Sequence, residues 1–492
     1  MKTILALDQS TSSSKALLYS VSGELIDKTA NDHQQHYPQP GWVEHDAEEI
    51  YRNSLAALRT LLDRNPAAQR DLVCLSITNQ GETIVVCDKA TGRTLHDPIV
   101  WQCRRGEAIC KELIAEGHNA QDQQMTGLKI DTYFPAAKLK WLFDNYPGIK
   151  QQITGGNALI GTIDTYLIYR LTNGRCFATD HTNACRTLLY DIGQLQWDQT
   201  LGDLFDVPVD ALPTVRESSA IFDETDLNGH LKQPIPICGV MGDSQAALFA
   251  ERCFYPGMAK VTFGTGSSVL LNIGDRLKLS DSGIVTTLGW VLANQPTYAF
   301  EGIINFTGAT LTWLRDQLEL ITESGETAAM AQSVPDNGGV YLVPAFVGLS
   351  APYWRPNAKG AIVGLPPSAT RNHVARAALE AIAYRVRDVL GLMARDSGMS
   401  PQYIHGDGGA VSNRFLMQFV ADITRYTIRA SQLAELSALG AVMSGMLGTG
   451  IAGSLEDLEQ LAHQFEDYSP ILDEELAQEY YAGWQRAVQM VL

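Results

Sequence analysis

The chain opens with a hydrophobic strand pattern that ends at an acidic residue and a hydroxyl-rich turn. Residues 4 to 7 are apolar, Asp8 follows them, and residues 11 to 13 are a threonine and two serines. Residues 260 to 271, with the sequence KVTFGTGSSVLL, repeat this pattern of strand, turn and strand in the second half of the chain. Because the second half restarts the pattern of the first, the sequence predicts two halves that each begin with a hairpin.

Both turns have the chemistry of a phosphate site. Hydroxyl groups and closely spaced backbone N–H groups donate hydrogen bonds to phosphate oxygens. A carboxylate beside phosphates would repel them unless a cation lay between, so Asp8 indicates a hard divalent metal, with Mg²⁺ favoured. An ordinary β-hairpin is the alternative, because residues 8 to 14 are also good turn formers. The Walker A motif of nucleotide-binding loops does not occur in the sequence.

The length of the chain supports a division into two parts. At 492 residues it is too long for a single hydrophobic core, so two large domains are expected. Composition marks no linker, and we place the boundary near Glu251, shortly before the second hairpin. The predicted domains therefore span residues 1 to 250 and 251 to 492.

Charge and cysteine usage exclude some functions. The formal net charge of −18 argues against a nucleic-acid partner, although a small anion can still bind through local donors. The eight cysteines include no C-x-x-C pair, which disfavours a zinc ribbon or a disulfide scaffold and indicates reduced thiols in a cytoplasmic protein. No apolar run approaches the roughly 18 residues needed to cross a bilayer, so no membrane partner is expected.

Short β-rich runs alternate with amphipathic helical stretches along the chain, which is typical of an α/β fold. Strands are predicted at 72 to 78 and 83 to 88, and Pro135 is placed to begin a helix. Residues 236 to 241 predict a strand that leads into a helix near Asp243. This aspartate is either a helix cap or a group exposed to a ligand beyond the strand end, and the local pattern does not separate the two.

Two motifs carry more information than this alternation. One is YFPAAKLKWLFDN at residues 133 to 145, and the other is GAIVGL (360 to 365) followed by HVARAALE (373 to 380). At this separation they resemble the two signatures of the FGGY carbohydrate kinases. Further stretches resemble the glycerol kinase branch of that family, among them PQPGWVEHD, GTIDTYLIYRLT, VPAFVGLSAPYW and the run that begins GDGG. The resemblance covers almost the whole chain.

This resemblance implies two ribonuclease-H-like domains of the actin and Hsp70 type, with ATP and the acceptor in the cleft between them. The two hairpins would then contact the phosphates from opposite sides. Nucleotide-binding roles are implied for Thr11, Ser12, Ser13, Lys15, Gly264, Thr265, Gly266, Gly308, Thr312, Gly409 and Asn413. Thr312 departs from the family pattern, since glycerol kinases usually have a glutamine there.

The resemblance also implies roles for two aspartates. Asp243 matches the catalytic base of the family, which accepts the proton of the attacking hydroxyl during in-line phosphoryl transfer. Asp8, together with Asp243, would position the Mg²⁺ that neutralises charge on the transferring group. The implied protein is an ATP- and Mg²⁺-dependent kinase.

The acceptor pocket departs from the glycerol kinases in part. The positions that agree are Glu82, Trp101, Tyr133 and Asp243. The positions that differ are Gly81, which replaces an arginine that binds glycerol hydroxyls, Ser244, which replaces a glutamine, and Ser268, which replaces a phenylalanine. A charge-assisted hydrogen bond is worth roughly 1.5–3 kcal/mol, so its loss disfavours tight glycerol binding. We therefore predict a polyol or ketose of four to six carbons, phosphorylated on a terminal hydroxyl.

Two alternatives stay open. Glycerol remains the acceptor, and glycerol 3-phosphate the product, if another residue replaces the missing arginine. A nucleotide-driven protein of the actin or Hsp70 type would have no small-molecule acceptor, but such a protein does not need a polar pocket for a polyol. By the same resemblance, a homodimer or homotetramer is expected.

Overall fold

The computed structural model describes residues 2–355 and 357–492. Its strands are β1 (Thr3–Gln9), β2 (Ser13–Ser20), β3 (Leu25–Asp32), β4 (Leu72–Asn79), β5 (Ile84–Asp88), β6 (Thr94–Ile99), β7 (Ala158–Thr162), β8 (Ala178–Asp180), β9 (Tyr190–Asp191), β10 (Gln196–Trp197), β11 (Thr214–Arg216), β12 (Ile221–Thr225), β13 (Ile235–Gly242), β14 (Ala259–Phe263), β15 (Ser267–Gly274), β16 (Val285–Leu292), β17 (Gln295–Ile304), β18 (Tyr341–Val343), β19 (Ala361–Val363), β20 (Tyr403–Asp407), β21 (Thr427–Ser431) and β22 (Phe465–Tyr468).

The α-helices are α1 (Ala47–Arg64), α2 (Glu107–Ala115), α3 (Asn119–Thr126), α4 (Pro135–Asn145), α5 (Pro147–Thr154), α6 (Ile163–Leu171), α7 (His181–Ala184), α8 (Gln199–Phe205), α9 (Asp243–Ala250), α10 (Gly308–Asp316), α11 (Thr327–Gln332), α12 (Arg371–Ser397), α13 (Arg414–Thr424), α14 (Leu436–Gly448), α15 (Leu455–Glu459) and α16 (Glu474–Gln489). Short 3₁₀ helices cover Ala68–Asp71, Val209–Ala211, Ser324–Glu326 and Gly409–Ser412.

The two largest sheets repeat one strand order. The first runs β12-β13-β4-β1-β2-β3 and the second runs β16-β17-β15-β14-β20-β21-β22. In each sheet a hairpin (β1–β2 or β14–β15) is extended on one side by an antiparallel strand and on the other by two parallel strands. This repeated order is the one expected for two ribonuclease-H-like units, and the α/β pattern predicted from the sequence is confirmed.

Several local predictions are also confirmed. β1 is buried along its whole length because it lies inside the first sheet, which explains its unbroken apolar run. The strands predicted at 72 to 78 and 83 to 88 are β4 and β5. Pro135 occupies the first turn of α4, where the missing N–H is of no consequence.

Helices α9 and α14 pack against each other between the two sheets. Their contact is close enough that a Cβ on Gly440 would lie 1.8 Å from the carbonyl oxygen of Ala246, so only glycine fits there. Apolar residues of both sheets and both helices form one buried cluster, which includes Ile4, Leu270 and Val442. The first turns of α9 and α14 both face the same cavity in the cleft above this cluster.

A smaller three-stranded sheet, β6-β5-β7, packs with α2, α4 and α5 beside the first sheet. Trp101 and Tyr133, two of the residues predicted for the acceptor pocket, pack against the core of this unit. Within the described residues, no helix combines the length and the hydrophobicity that crossing a membrane would require.

Candidate active site in the interdomain cleft

A cavity of about 760 Å³ lies between the two large sheets. It is lined by the ends of strands β1, β14 and β20 and by the first turns of α9 and α14. Its charged lining residues include Asp8, Asp243 and Asp407, with Lys15 and Lys260. Acidic groups at the ends of neighbouring strands, with two cations among them, suit a metal–phosphate complex better than a free anion.

Asp8 lies at the end of β1, opposite Lys15 on β2. The ammonium of Lys15 is 3.6 Å from the Asp8 carboxylate and 2.7 Å from the carboxylate of Glu435. Burial raises the pKa of Asp8 to about 6, and the neighbouring Lys15 opposes that rise. Lys15 is therefore held beside the predicted metal ligand by Glu435, a residue that the sequence reasoning did not identify.

Asp243 is the first residue of α9 and lines the cavity. Gly242 occupies the N-cap position, so Asp243 does not act as the helix cap that the local sequence left open. Its carboxylate accepts a hydrogen bond from the N–H of Ser244 at 2.6 Å. Burial raises the pKa of Asp243, which favours a carboxylate that can take up a proton during the reaction.

The second hairpin turn is built around glycines. Gly308 N–H donates to the carbonyl of Gly264, and Ala309 N–H donates to the carbonyl of Thr265. A Cβ on Gly308 would lie 2.8 Å from the Gly264 oxygen, so this approach of two backbones requires glycine. The contact brings Gly308 together with the turn that contains Gly264 and Thr265.

The first hairpin turn is tied to its surroundings through its backbone. The N–H of His33 donates to the Ser12 carbonyl at 3.0 Å, and the N–H of Ser10 donates to the Ser13 carbonyl at 2.9 Å. Thr11 accepts a hydrogen bond at its hydroxyl oxygen from the indole N–H of Trp101 at 3.1 Å. The two turns follow β1 and β14, and each of these strands contributes residues to the lining of the cleft cavity.

The residues predicted to surround the adenosine lie on three different elements. Asn413 is the N-cap of α13, and its amide donates to the hydroxyl of Thr327 at 3.1 Å. Gly409 lies in the 3₁₀ turn before that helix and lines the cleft cavity. Thr312 is exposed on α10, where its hydroxyl donates to the Gly308 carbonyl at 3.3 Å. Thr312, where glycerol kinases usually have a glutamine, thus lies one helical turn after Gly308.

Glu82, a residue predicted for the acceptor pocket, belongs to a buried Glu–Arg–Glu cluster. Arg186 is paired with Glu82 at 2.7 Å and with Glu301 at 2.7 Å, and the three side chains are almost fully buried. Glu301 comes from β17 of the second sheet, and its carboxylate also accepts from the Ser268 hydroxyl at 3.3 Å. Burial raises the pKa of Glu82 to about 7, while Arg186 opposes that rise. Sequence reasoning identified Glu82 and Ser268 but missed Arg186 and Glu301.

Two aromatic residues predicted for the acceptor pocket are in contact. The rings of Trp101 and Tyr133 lie 5.4 Å apart between centroids. The ammonium of Lys138 is fully buried beneath them and donates to the Trp101 carbonyl at 3.2 Å and the Tyr133 carbonyl at 3.0 Å. Burial lowers the pKa of Lys138 to about 8. Lys138 thus fixes the spacing of the two backbones that carry the pocket aromatics.

Gly81 directly precedes Glu82 of the Glu–Arg–Glu cluster and has no side chain to fill the space beside it. Apart from its two neighbours in the chain, no residue has an atom within 4 Å of the position that a Cβ on Gly81 would take. Its neighbour Glu82 has a φ of 59°, a left-handed conformation that is uncommon for a residue other than glycine. Ser244 is half-buried and lines the cleft cavity beside Asp243. The pocket therefore has room at Gly81, where the resemblance implies an arginine.

The carboxylates fit a Mg²⁺ ion that arrives with ATP. Among the residues that the structure describes, no group of three or more His, Cys, Asp or Glu side chains is arranged as a metal cage. Mg²⁺ usually takes one or two protein carboxylates and completes its shell with phosphates and water. Asp8 and Asp243 supply two carboxylates on one cavity, and Asp407 adds a buried carboxylate oxygen without a hydrogen-bond partner there.

Family models match almost the whole chain. The N-terminal domain of the FGGY carbohydrate kinases matches residues 3–250, and the C-terminal domain of that family matches residues 259–449. The chain belongs to the FGGY family of carbohydrate kinases. It is an ATP-dependent phosphotransferase that acts on a hydroxyl group of a small sugar or polyol and uses Mg²⁺, as the sequence predicted.

Individual relatives of this FGGY kinase are similar over their full length. Glycerol kinase 1 of Thermotoga maritima is 44% identical over 99% of both chains. The glycerol kinase of Symbiobacterium thermophilum is 46% identical over 99% of this chain and 97% of its own.

Solved structures share the fold. The ADP complex of Plasmodium falciparum glycerol kinase superposes with a TM-score of 0.95 at 34% identity and covers 100% of this chain and 98% of that chain. A xylulose kinase from Lactobacillus acidophilus gives a TM-score of 0.89 at 21% identity over 100% of this chain and 98% of its own. The two-domain actin and Hsp70-type fold predicted for this FGGY kinase is therefore confirmed.

Proposed function

We propose that this FGGY kinase phosphorylates a terminal hydroxyl of a small polyol and that glycerol is its principal acceptor. The observation that carries the proposal is full-length identity of 44–46% to proteins named glycerol kinase. The xylulose and gluconate kinases with the same fold are 21% identical. This preference reverses the expectation of a longer acceptor that the three small pocket residues suggested.

In the proposed reaction Asp243 is the general base. Its carboxylate accepts the proton of the acceptor hydroxyl as that oxygen attacks the γ-phosphorus of ATP and ADP leaves. Asp8 and Asp243 would hold the Mg²⁺, which would offset negative charge on the phosphates. Lys15 stays beside Asp8 through its pair with Glu435 and contacts the phosphates from the same side.

The two hairpin turns hold the triphosphate, and the residues near α10 and α13 hold the adenosine. The nucleotide contacts that we propose are Thr11, Ser12, Ser13, Lys15, Gly264, Thr265, Gly266, Gly308, Thr312, Gly409 and Asn413. The acceptor contacts that we propose are Gly81, Glu82, Trp101, Tyr133, Asp243, Ser244 and Ser268. Arg186 supports this pocket because its guanidinium forms an ion pair with the Glu82 carboxylate and so fixes the position of Glu82.

A polyol or ketose of four to six carbons is a second candidate acceptor. The specific observation in its favour is the open space beside Gly81, where nothing lies within 4 Å of a Cβ. Ser244 and Ser268 add hydroxyl groups where the glycerol kinases have larger side chains. Steady-state kinetics with glycerol and a panel of tetritols, pentitols and ketoses separate the candidates. Glycerol should have the highest kcat/KM, and a panel member that exceeds it would establish the second candidate.

Substitution of Gly81 by Arg tests how the pocket handles glycerol. Gly81→Arg should lower the KM for glycerol by roughly 10- to 150-fold, because it restores a charge-assisted hydrogen bond of about 1.5–3 kcal/mol. It should also reduce turnover of any longer acceptor, since the arginine fills the open space. Gly148→Arg is a matched control, because Gly148 is exposed on α5 and nothing lies within 4 Å of its Cβ position. An unchanged KM for glycerol in Gly81→Arg would show that Gly81 does not face the acceptor.

We also propose that the domain boundary lies near Glu251, between α9 and β14, so that each domain contains one of the large sheets. A cytoplasmic location agrees with the eight cysteines, which are all buried and unpaired. Size-exclusion chromatography with light scattering tests the proposed dimer or tetramer.

A further inference from the structure

A hydrogen bond between two side chains joins Trp101, on the acceptor side of the cleft, to Thr11 in the first phosphate hairpin. The indole N–H of Trp101 donates to the hydroxyl oxygen of Thr11 at 3.1 Å. Trp101 lies in the acceptor pocket against Tyr133, whereas Thr11 lies in the turn between β1 and β2. The two residues are 90 positions apart in the chain, so this contact exists only because the fold brings the two sites together.

The chemistry of the two groups sets the direction of this bond. An indole N–H can only donate, so the Thr11 oxygen has to accept. The single hydroxyl proton of Thr11 remains available to donate, and no acceptor within residues 2–355 and 357–492 takes it. A hydroxyl that already accepts one hydrogen bond has fewer favourable orientations for its own proton. The contact with Trp101 therefore favours orientations from which the Thr11 hydroxyl can donate to a phosphate oxygen.

Trp101 is itself held at two further points. Its backbone N–H donates to the Thr83 hydroxyl at 3.3 Å, and its carbonyl accepts from the buried ammonium of Lys138 at 3.2 Å. Thr11 is fixed in the same way, because its carbonyl is 2.9 Å from Nε2 of His33. Because Trp101 and Thr11 are both anchored through their backbones, the indole N–H and the hydroxyl stay within hydrogen-bonding distance when no ligand is bound.

We propose that Trp101 is a positioning residue that orients the Thr11 hydroxyl toward the phosphates of ATP and so couples acceptor binding to ATP binding. This inference rests on the proposed acceptor pocket and phosphate turn. An acceptor that packs on the indole ring restricts it further, which keeps the Thr11 proton directed into the cleft. Because coupling is reciprocal, bound ATP should tighten acceptor binding by the same factor.

A double-mutant cycle tests the link without any acceptor. Trp101→Phe keeps an aromatic ring and removes the N–H, whereas Thr11→Val keeps the branched shape and removes the hydroxyl. Calorimetric titration with the Mg²⁺ complex of an imido-bridged ATP analogue should show weaker binding by about 2- to 12-fold for each variant. The double variant should resemble Thr11→Val, because an indole donor without its partner has nothing to orient.

A matched control separates this effect from general loss of an indole hydrogen bond. Trp197 also donates its indole N–H, to the Pro213 carbonyl at 2.7 Å, and its ring packs against Tyr190 rather than against a residue proposed to bind ATP or the acceptor. Trp197→Phe should leave binding of the analogue unchanged. Full additivity of Trp101→Phe and Thr11→Val, or wild-type binding in Trp101→Phe, would overturn the proposal.

Repeating the titration in saturating acceptor tests the coupling. Wild-type protein should bind the analogue more tightly with acceptor than without it, by roughly 5-fold or more, and Trp101→Phe should lose most of that gain. Equal gains in both proteins would overturn the coupling. If no polyol or ketose of the panel is phosphorylated, the proposed function fails, whereas the acceptor-free cycle still decides the orienting role of Trp101.

Discussion

Replacing Asp243 by Asn should lower kcat by about 10²- to 10⁴-fold, the usual contribution of a general base. The amide has nearly the same shape as the carboxylate but cannot accept the proton of the attacking hydroxyl. Asp243 lies in the first turn of α9 and faces the cavity, so the exchange leaves the cleft intact. Binding of the ATP analogue should fall far less than kcat, as measured by calorimetry alongside steady-state rates.

The pH profile adds an independent check on this assignment. Burial raises the pKa of Asp243 above the usual value for aspartate, and the carboxylate must be ionised to act as a base. Activity of the wild-type enzyme should therefore fall as the pH drops through that raised pKa, and the residual activity of Asp243→Asn should lack this dependence. Asp316→Asn is a control, because Asp316 is exposed and pairs only with Arg315 on its own helix. A kcat within tenfold of wild type in Asp243→Asn would exclude Asp243 as the base.

Replacing Arg186 by Met should reduce the free energy of unfolding by about 3–5 kcal/mol, the range for removal of one partner of a buried ion pair. The change leaves the carboxylates of Glu82 and Glu301 buried without their cation. Acceptor turnover should be lost as well, because Glu82 is no longer held in the pocket. Urea unfolding and the glycerol assay measure the two effects separately.

The loss of stability should depend on pH in a defined direction. The folded-state pKa of Glu82 is about 7, above its ordinary value of 4.5, so the folded protein holds this proton more tightly than the unfolded chain. Stability from this group is present at low pH and is lost as the pH rises through the folded pKa. Without Arg186 that pKa rises further, so Arg186→Met should cost more stability at pH 8 than at pH 5.

A control variant at another buried ion pair, and a variant that also removes the two carboxylates, test whether the loss of stability comes from the Glu82–Arg186–Glu301 cluster. Arg376→Met also breaks a buried pair, with Glu380 at 2.7 Å in α12, and it should destabilise the protein without a direct effect on the acceptor KM. Adding Glu82→Gln and Glu301→Gln to Arg186→Met should restore part of the stability but not the activity. A loss below 1 kcal/mol, or the same loss at both pH values, would show that Arg186 does not compensate the two carboxylates.

Short-range features of this chain were predictable because each depends on neighbouring residues. The two hairpins follow from apolar strands interrupted by glycine and hydroxyl residues, and Pro135 marks the start of α4 through its fixed φ. Asp243 was placed correctly at the junction of a strand and a helix. Its role as cap or as functional group was open locally, and the structure excludes the cap because Gly242 takes that position.

The residues that the sequence analysis missed are charged side chains whose partners are distant in the chain. Arg186 pairs with Glu82 across 104 positions, and Lys15 pairs with Glu435 across 420 positions. No periodicity in the sequence indicates such a pair, because each pair forms only when elements distant in the chain pack together, within the first domain for Arg186–Glu82 and between the two halves for Lys15–Glu435. A weak signal did exist for Asp407, which ends β20 just before the glycine-rich turn, much as Asp8 lies next to the last residue of β1.

The sequence by itself determined that this protein has an α/β fold with two hairpins and that it resembles the FGGY kinases, and it predicted phosphate contacts in the hairpin turns and an aspartate near a strand end that suits Mg²⁺. Those properties depend on residue types and short spacings. Only the tertiary structure decided which charges neutralise one another in the cleft, that the space at Gly81 is open, and that the Trp101 indole reaches Thr11. These depend on packing among elements that are distant in the chain, both within the first domain and between the two large sheets, where electrostatic and steric effects act through space.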